Sequence, residues 1–364
     1  MTTETSRPTL TVNLAAIGRN LDHLQNQAGG TDIAPVVKAN AYGLGDHRVA
    51  EHLVTHHGVR TLFVATVEEA VGIALLLPHA PPLYVLNGYT ASQQGVFGRH
   101  DIRPVLNSTA QATAWTKDGG GPCAIALDVG MNRLGLGIEE TLCLLNQGIL
   151  GKDDVNLVVM HLSHASAPAA SENKAQVEKF DTIEQALRPL LPNARFSLSA
   201  SGGMMMPHDA KETLVRPGIA LWGGAPDGVP GHGLETVATL TAPVVMTRQV
   251  TAGETVSYNG RWQAERPSTI AVLSIGYADG YHRALSNKGE VFLGGTRCPI
   301  VGAVTMDLTM VDVTDAPKPV AEGDHAEIFG PHINIDCLAD EAGTIAYELL
   351  TSVGQRVKRV YEVE

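Results

Sequence analysis

Cysteine is scarce in this chain. Its 4 cysteines among 364 residues are Cys123, Cys143, Cys298 and Cys337. None forms a CxxC pair or falls at a zinc-ligand spacing, so the sequence gives neither a disulfide framework nor a zinc signature. They read as small buried thiols of a reducing compartment. Positive charge is also in deficit: 26 Lys and Arg against 38 Asp and Glu leave a formal charge of −12. An acidic chain repels phosphate backbones, so no nucleic-acid partner is expected. No basic block is present to meet an anionic membrane, and no apolar run approaches the about 18 residues of a membrane span. The N-terminus, MTTETSRPTLTVNL, lacks the basic start and apolar stretch of a secretory signal. A soluble, cytoplasmic protein is expected.

What the chain has is length and apolar content. Hydrophobic residues make up 44% and charged residues 18%, enough for a large core and, at this length, for two domains. Between about residues 30 and 225, short β-rich runs alternate with helical patterns. The runs are 35–38, 61–65, 83–87, 102–106, 123–128, 156–161, 196–199 and 214–222. Helical segments such as 46–57, 67–77, 108–117, 138–148 and 172–191 lie between them. Thr66 before two glutamates is a good helix N-cap. Eight apolar strands separated by helices imply a parallel sheet covered on both faces. A closed (β/α)8 barrel is expected, with a doubly wound open sheet as the rival.

After about residue 235 the texture changes. Short β-rich runs at 237–250, 269–275, 290–293, 298–304, 308–313 and 325–329 are separated by Gly-containing turns. They read as a second, mostly β domain, closed by a helix near 338–352 and a strand at 356–362. The Pro/Gly-rich stretch 224–233 is the natural linker. The expected division is therefore an α/β barrel over 1–232 and a β domain over 233–364, with the first strand, about 8–14, packing with the latter.

Lys38 ends an apolar strand, PVVK. In a barrel that places it at the C-terminal mouth, where active sites of this architecture lie. A partly desolvated lysine loses basicity, and its amine becomes a nucleophile for carbonyl groups. A snorkelling lysine at a strand end is the plainer alternative. Tyr277, before Ala-Asp-Gly, has a plain reading as a turn residue, and Arg216 as half of a surface ion pair. His161 and His164 form an i, i+3 pair. No carboxylate or cysteine accompanies the pair, and no metal is expected.

The segments holding these residues resemble one family. KANAYG at 38–43 resembles the cofactor-lysine motif of the alanine racemases, GYADG at 276–280 their tyrosine motif, and VRPGIALWGGAP at 215–226 their RPG-I-A segment. The order and spacing of the three make the resemblance specific, and weaker matches extend it from about residue 8 to 361. These include DVGMNRLGLG at 128–137, SASGG at 199–203, VTMD at 304–307 and TIAYE at 344–348.

The resemblance implies pyridoxal 5'-phosphate as cofactor, held by Lys38, and a homodimer whose active sites join one barrel mouth to the other subunit's β domain. Lys38 and Tyr277 would be the two acid/base groups, on opposite faces of a planar carbanion. Tyr42, Ser201 and the backbone amides of Gly218 and Ile219 would hold the phosphate, with Tyr347 as a further phosphate or entrance tyrosine. Arg216 would face the pyridine nitrogen, and its guanidinium will not surrender a proton. An ungapped alignment through Asn173, Gln176 and Phe180 makes His161 its buttress, with His164 the alternative. Arg133 would approach the cofactor's phenolic oxygen and the substrate carboxylate, and Met306 and Asp307 would line the substrate entrance from the partner subunit. The implied reaction interconverts L- and D-alanine and supplies D-alanine for peptidoglycan.

Three positions depart from the pattern. Ala126 stands where many relatives carry a carbamylated lysine that orients the arginine at 133, Ala200 replaces an asparagine, and Thr305 a cysteine or serine. The first leaves open a broader racemase acting on serine or lysine. A decarboxylase of the same barrel type is disfavoured by GYADG and RPGIA. A non-enzymatic pyridoxal-phosphate carrier is disfavoured by the residues after the linker, because such carriers resemble the barrel alone.

Overall fold

The computed structural model describes residues 7–77 and 79–363. The chain divides into two compact units. One is Asn20–Leu221; the other joins the chain up to Arg19 to the chain from Trp222 onward.

The first strand, β1 (Thr9–Asn13), belongs to the second unit. The first unit is a ring of eight parallel strands: β2 (Asp32–Ile33), β3 (Leu62–Val64), β4 (Leu83–Val85), β5 (Ile102–Leu106), β6 (Cys123–Ala126), β7 (Val155–Val159), β8 (Arg195–Ser197) and β9 (Leu214–Val215). β3 to β8 form a continuous parallel sheet. The ring closes through β2: Asp32 and Ile33 pair with Leu214 and Val215, Val36 bridges Phe63, and Ala200 bridges Arg216. The barrel, not the open sheet, is therefore the arrangement adopted. Every residue of β3, β4 and β6 is buried, as expected of strands covered on both faces.

The helix Val67–Leu76 begins at Thr66, whose side chain accepts from Glu69 N while the Glu69 carboxylate accepts from Thr66 N, a reciprocal capping box. The helix Asp46–His57 occupies the residues its pattern predicts. The run 214–222 does not remain extended: β9 is two residues long, and Ile219–Trp222 is a 3-10 turn. Pro217 lacks the N–H that would extend the ladder.

The second unit is built on β10 (Ala238–Val250), with β11 (Thr255–Val256), β12 (Trp262–Gln263), β13 (Ser268–Leu273), β14 (Glu290–Leu293), β15 (Thr296–Pro299), β16 (Thr309–Asp312), β17 (His325–Phe329) and β18 (Lys358–Glu362) following. β10 pairs with β1 and β17 near its start and with β13 further along, with register shifts at Leu240/Thr241 and Val244/Met246. Those irregularities let one long strand serve two sheet regions. β1 lies between β10, antiparallel, and β18, parallel. The helix predicted over 338–352 is two, Ile335–Ala342 and Ala346–Ser352, because Gly343 caps the first in the left-handed conformation at φ 72°. Leu10 and Val12 of β1 are fully buried. Leu10→Ala is expected to cost the β unit about 2–5 kcal/mol in denaturant unfolding, whereas a loss below 0.5 kcal/mol would mean that β1 is peripheral to it.

Candidate active site

Lys38 leaves the barrel at the start of an unusual turn. Ala39, Asn40, Ala41 and Tyr42 all have positive φ, at 53°, 57°, 49° and 56°. A left-handed turn of L-residues costs roughly 1–2 kcal/mol per residue, so this one persists only because its surroundings hold it. Ala41 N donates to Val37 O at 2.9 Å and Gly43 N to Ala39 O at 2.8 Å. Asp46 N donates to the Asn40 side chain at 3.0 Å. The amide next to the lysine, Ala39 N, donates to Glu69 Oε1 at 2.7 Å, while Glu69 Oε2 accepts from Ala65 N at 2.7 Å. One carboxylate thus caps a helix and anchors the turn that carries Lys38.

The amine of Lys38 is less basic than an ordinary lysine. Burial is the largest cause, Arg133 and Arg216 add repulsion, and Glu69 opposes the shift. The Arg216 guanidinium is buried; it donates to Met160 O at 2.6 Å and to Ser197 Oγ. Burial lowers its pKa to about 10, with Glu212 opposing, so it stays a cation at neutral pH. Glu212 is itself fixed by Leu198 N at 2.9 Å and Ser199 N at 2.8 Å. Burial and the charges of Arg216, Arg133 and Lys38 depress His161 to about 3, so the imidazole is neutral. His164 is exposed, with its Nδ1 on Ser163 Oγ at 2.7 Å. It is therefore His161, not His164, that shares the field of Lys38, Arg133 and Arg216.

Beside this cluster is a close backbone approach. Ser201 Oγ accepts from Gly218 N at 2.9 Å and Ala220 N at 3.3 Å, immediately before and after Ile219. A Cβ at Gly218 would overlap the hydroxyl of the buried Tyr42. Glycine at 218 is thus what allows Tyr42, Ser201 and the amides of residues 218–220 to converge. Arg133 is exposed on a loop that Asp128 ties down, accepting from Met131 N at 3.0 Å and Asn132 N at 2.9 Å. The loop returns through Gly135 at φ 122°, where a Cβ would strike the backbone of Leu127 and Asp128. Ala126 is 8% exposed, within β6. Among the described residues, no group of three or more His, Cys, Asp or Glu side chains could hold a metal ion.

The β unit brings together a second set of residues. Tyr277, 44% exposed, starts a 3-10 turn, Tyr277–Asp279. Tyr277 N donates to Thr305 O and Ala278 N to Met306 O, each at 3.0 Å. A Cβ at Gly276 would overlap those same two carbonyls, which accounts for the glycine before the tyrosine. Met306 and Asp307 are both exposed. Tyr347 lies on the helix Ala346–Ser352, its phenol pushed up to about 12, chiefly by burial.

The chain matches the family model "Alanine racemase, N-terminal domain" over residues 12–226 and "Alanine racemase, C-terminal domain" over 237–361. It belongs to the alanine racemase family. It is 42% identical over 361 residues to the alanine racemase of Acidiphilium cryptum, covering 98% of this chain and 99% of that protein. It is 38% identical to the biosynthetic alanine racemase of Agrobacterium fabrum, covering 97% and 93%. The crystal structure of alanine racemase from Bartonella henselae with covalently bound pyridoxal phosphate superposes with a TM-score of 0.89 at 36% identity, covering 98% of this chain and 100% of that one. The biosynthetic alanine racemase of Pseudomonas aeruginosa gives 0.88 at 31%, covering 98% and 99%. Both halves of the alanine racemase fold, barrel and β domain, are thus present.

Family motifs alone do not reveal every residue that shapes the site. Glu69 is visible in sequence as the acid of a capping box, but its second oxygen serves a turn 30 residues away. Glu212 and Ser197 carry no local signal, because each acts through a partner distant in sequence; Arg356 lies in RVKRVY at 356–361, which matches the family, but its partners Asp279 and Asp307 are set by the fold. The shift of His161 has a measurable consequence. Its folded pKa of about 3 lies below the unfolded value of about 6.5, so the unfolded chain binds the extra proton. Stability is present above about pH 6.5 and is lost as the pH falls toward 3. The His161 ring resonances are expected to stay fixed between pH 5 and 8, and His161→Leu should flatten the fall in unfolding free energy below pH 6.5. An imidazole titrating near 6.5 would contradict the placement.

Proposed function

We propose that this chain is a pyridoxal-phosphate-dependent alanine racemase that interconverts L- and D-alanine with Lys38 and Tyr277 as its two acid/base groups. The observation that carries the reading is that Lys38, His161 and Arg216 all follow the C-terminal ends of barrel strands, with Lys38 less basic than an ordinary lysine, Arg216 a buried cation and His161 neutral. The residues fit the cofactor on two counts. The space at Gly218 that a Cβ would fill lets the Tyr42 hydroxyl and the amides around Ile219 converge, as a phosphate requires. The amine of Lys38 is available as a nucleophile toward an aldehyde.

Bound pyridoxal phosphate supplies an electron sink for the carbanion formed when alanine loses its α-proton. The chain supplies binding, placement and proton transfer. Lys38 would hold the cofactor through its aldehyde and, once the substrate amine takes its place there, the freed Nζ would take or give the proton on one face of the α-carbon. Tyr277 Oη of the partner subunit does so on the other, in a homodimer with shared sites. Tyr42, Ser201, Gly218 and Ile219 would hold the phosphate, and Tyr347 would be a further phosphate or entrance tyrosine. Arg216 would face the cofactor's pyridine nitrogen and, as a guanidinium that keeps its proton, would restrain side reactions, while neutral His161 would add no charge beside it. Arg133 and the backbone of Met306 of the partner subunit would hold the substrate carboxylate, and Asp307 of the partner subunit would line the entrance. The physiological setting we propose is the cytoplasm, with D-alanine passing to peptidoglycan.

Alanine enantiomers are of equal free energy, so kcat/KM must fall equally in the two directions in any variant. The asymmetry of a two-base mechanism appears in the isotope effect. Tyr277→Phe is expected to lower kcat/KM by roughly 10²–10⁴-fold and to raise the α-deuterium effect for one enantiomer more than for the other. Full activity with unchanged isotope effects would remove Tyr277 from the reaction. A panel of serine and lysine beside alanine tests the substrate range left open by Ala126; preference for a longer side chain would replace alanine as substrate.

A further inference from the structure

Tyr277 is nearly half exposed in its own unit, so packing there does not fix it; the backbone of its turn does. That turn is joined to the neighbouring Thr305–Asp307 segment by two amide-to-carbonyl bonds. It is closed on itself by Asp279 Oδ2, which accepts from Gly276 N at 3.0 Å. The other oxygen of this buried carboxylate accepts from Arg356 Nε at 3.0 Å, and Arg356 Nη1 donates to Asp307 Oδ1 at 2.8 Å. Asp279 O also accepts from Gly354 N at 2.9 Å, two residues before the arginine. The bonds make a ring: Arg356 to Asp279, through the Tyr277 turn to Thr305 and Met306, and through Asp307 back to Arg356. The guanidinium is the one group in it that touches both segments through side chains. Without it, a buried carboxylate loses its counter-charge, a costly state that the turn would relieve by moving.

We infer that Arg356 is a positioning residue for Tyr277, holding the tyrosine turn and the Met306–Asp307 segment in fixed relation through Asp279 and Asp307. The inference rests on the proposed role of Tyr277. A fork-shaped guanidinium suits the task because it presents separate N–H groups to two carboxylates at once. A lysine at this position is a single point charge on a flexible stem and could not hold both in the same way.

The test is a double-mutant cycle on the full-length, cofactor-loaded enzyme: Arg356→Met, Tyr277→Phe and the double variant, with Arg356→Lys alongside. Each is assayed for kcat, KM and α-deuterium isotope effects on both alanine enantiomers, and for thermal unfolding. Arg356→Met alone is expected to lower kcat by roughly 10- to 100-fold, the scale of a small misplacement of a reacting group. It should shift the isotope effects in the same sense as Tyr277→Phe, and Arg356→Lys should recover part of the loss. In the Tyr277→Phe background the same change is expected to cost less than about twofold. Equal losses in the two backgrounds, or a lower unfolding temperature with kcat intact, would overturn the inference. Should Arg356→Met fail to fold, Asp307→Asn cuts only the exposed arm of the ring, and its cycle with Tyr277→Phe is read by the same criteria. If Tyr277→Phe alone keeps full activity, the role of the tyrosine falls and the inference with it. If Tyr277→Phe is crippled but the cycle is additive, only the inference falls.

Discussion

The site depends on keeping one amine weakly basic at the mouth of the barrel. Burial and two nearby guanidinium groups work against a proton on Lys38, and a single carboxylate, Glu69, works for it. The balance matters because only the unprotonated amine is a nucleophile or a base. The same field reaches His161 and keeps it neutral. Arg216 keeps its charge despite burial because its N–H groups have acceptors and Glu212 is close enough to offset part of the cost. Arg216 and Arg133 therefore bias both Lys38 and His161 toward their uncharged forms, and removing either arginine should make both groups more basic.

Placement is set by short connections of defined backbone. Lys38 precedes a left-handed turn of four L-residues, costly in isolation, Tyr277 opens a short 3-10 turn, and Arg133 sits in a loop returned by a glycine at positive φ. In each case a carboxylate accepts backbone amides: Glu69 from Ala39 and Ala65, Asp279 from Gly276, Asp128 from Met131 and Asn132. This repeated use of charged acceptors explains how short, polar connections hold reactive side chains steady on a rigid scaffold.

The architecture was legible in the sequence because its signals are local and periodic. Fully buried strands such as LFV and LYV, with helices between, announce a parallel barrel, and Thr66 followed by Glu69 announces a helix start. Closure of the ring was less legible, since it depends on the two-residue pairing of β2 with β9 and on single bridges. The left-handed conformation of KANAY was hidden because alanine and asparagine are compatible with ordinary helix. Proline cut short one expected strand, and a glycine in the left-handed region divided one expected helix, each a local effect overriding a periodic pattern. Of the candidate site, family motifs point to Lys38, Arg216 and Tyr277, and the family-like segment 356–361 includes Arg356, whereas what Glu69, Glu212 and Arg356 hold is set by contacts that only the fold creates.

The central claim is that Lys38 is a weakly basic, reactive amine in a pocket shaped for a phosphate-bearing aldehyde. Brief exposure to pyridoxal phosphate across a range of pH, borohydride trapping, and peptide mass analysis measure this directly. The account predicts selective labelling of Lys38 at substoichiometric aldehyde, ahead of the exposed Lys152 and Lys174, and half-complete at a pH below that of an ordinary lysine. Labelling of Lys38 no faster than theirs, with the same pH dependence, would contradict it.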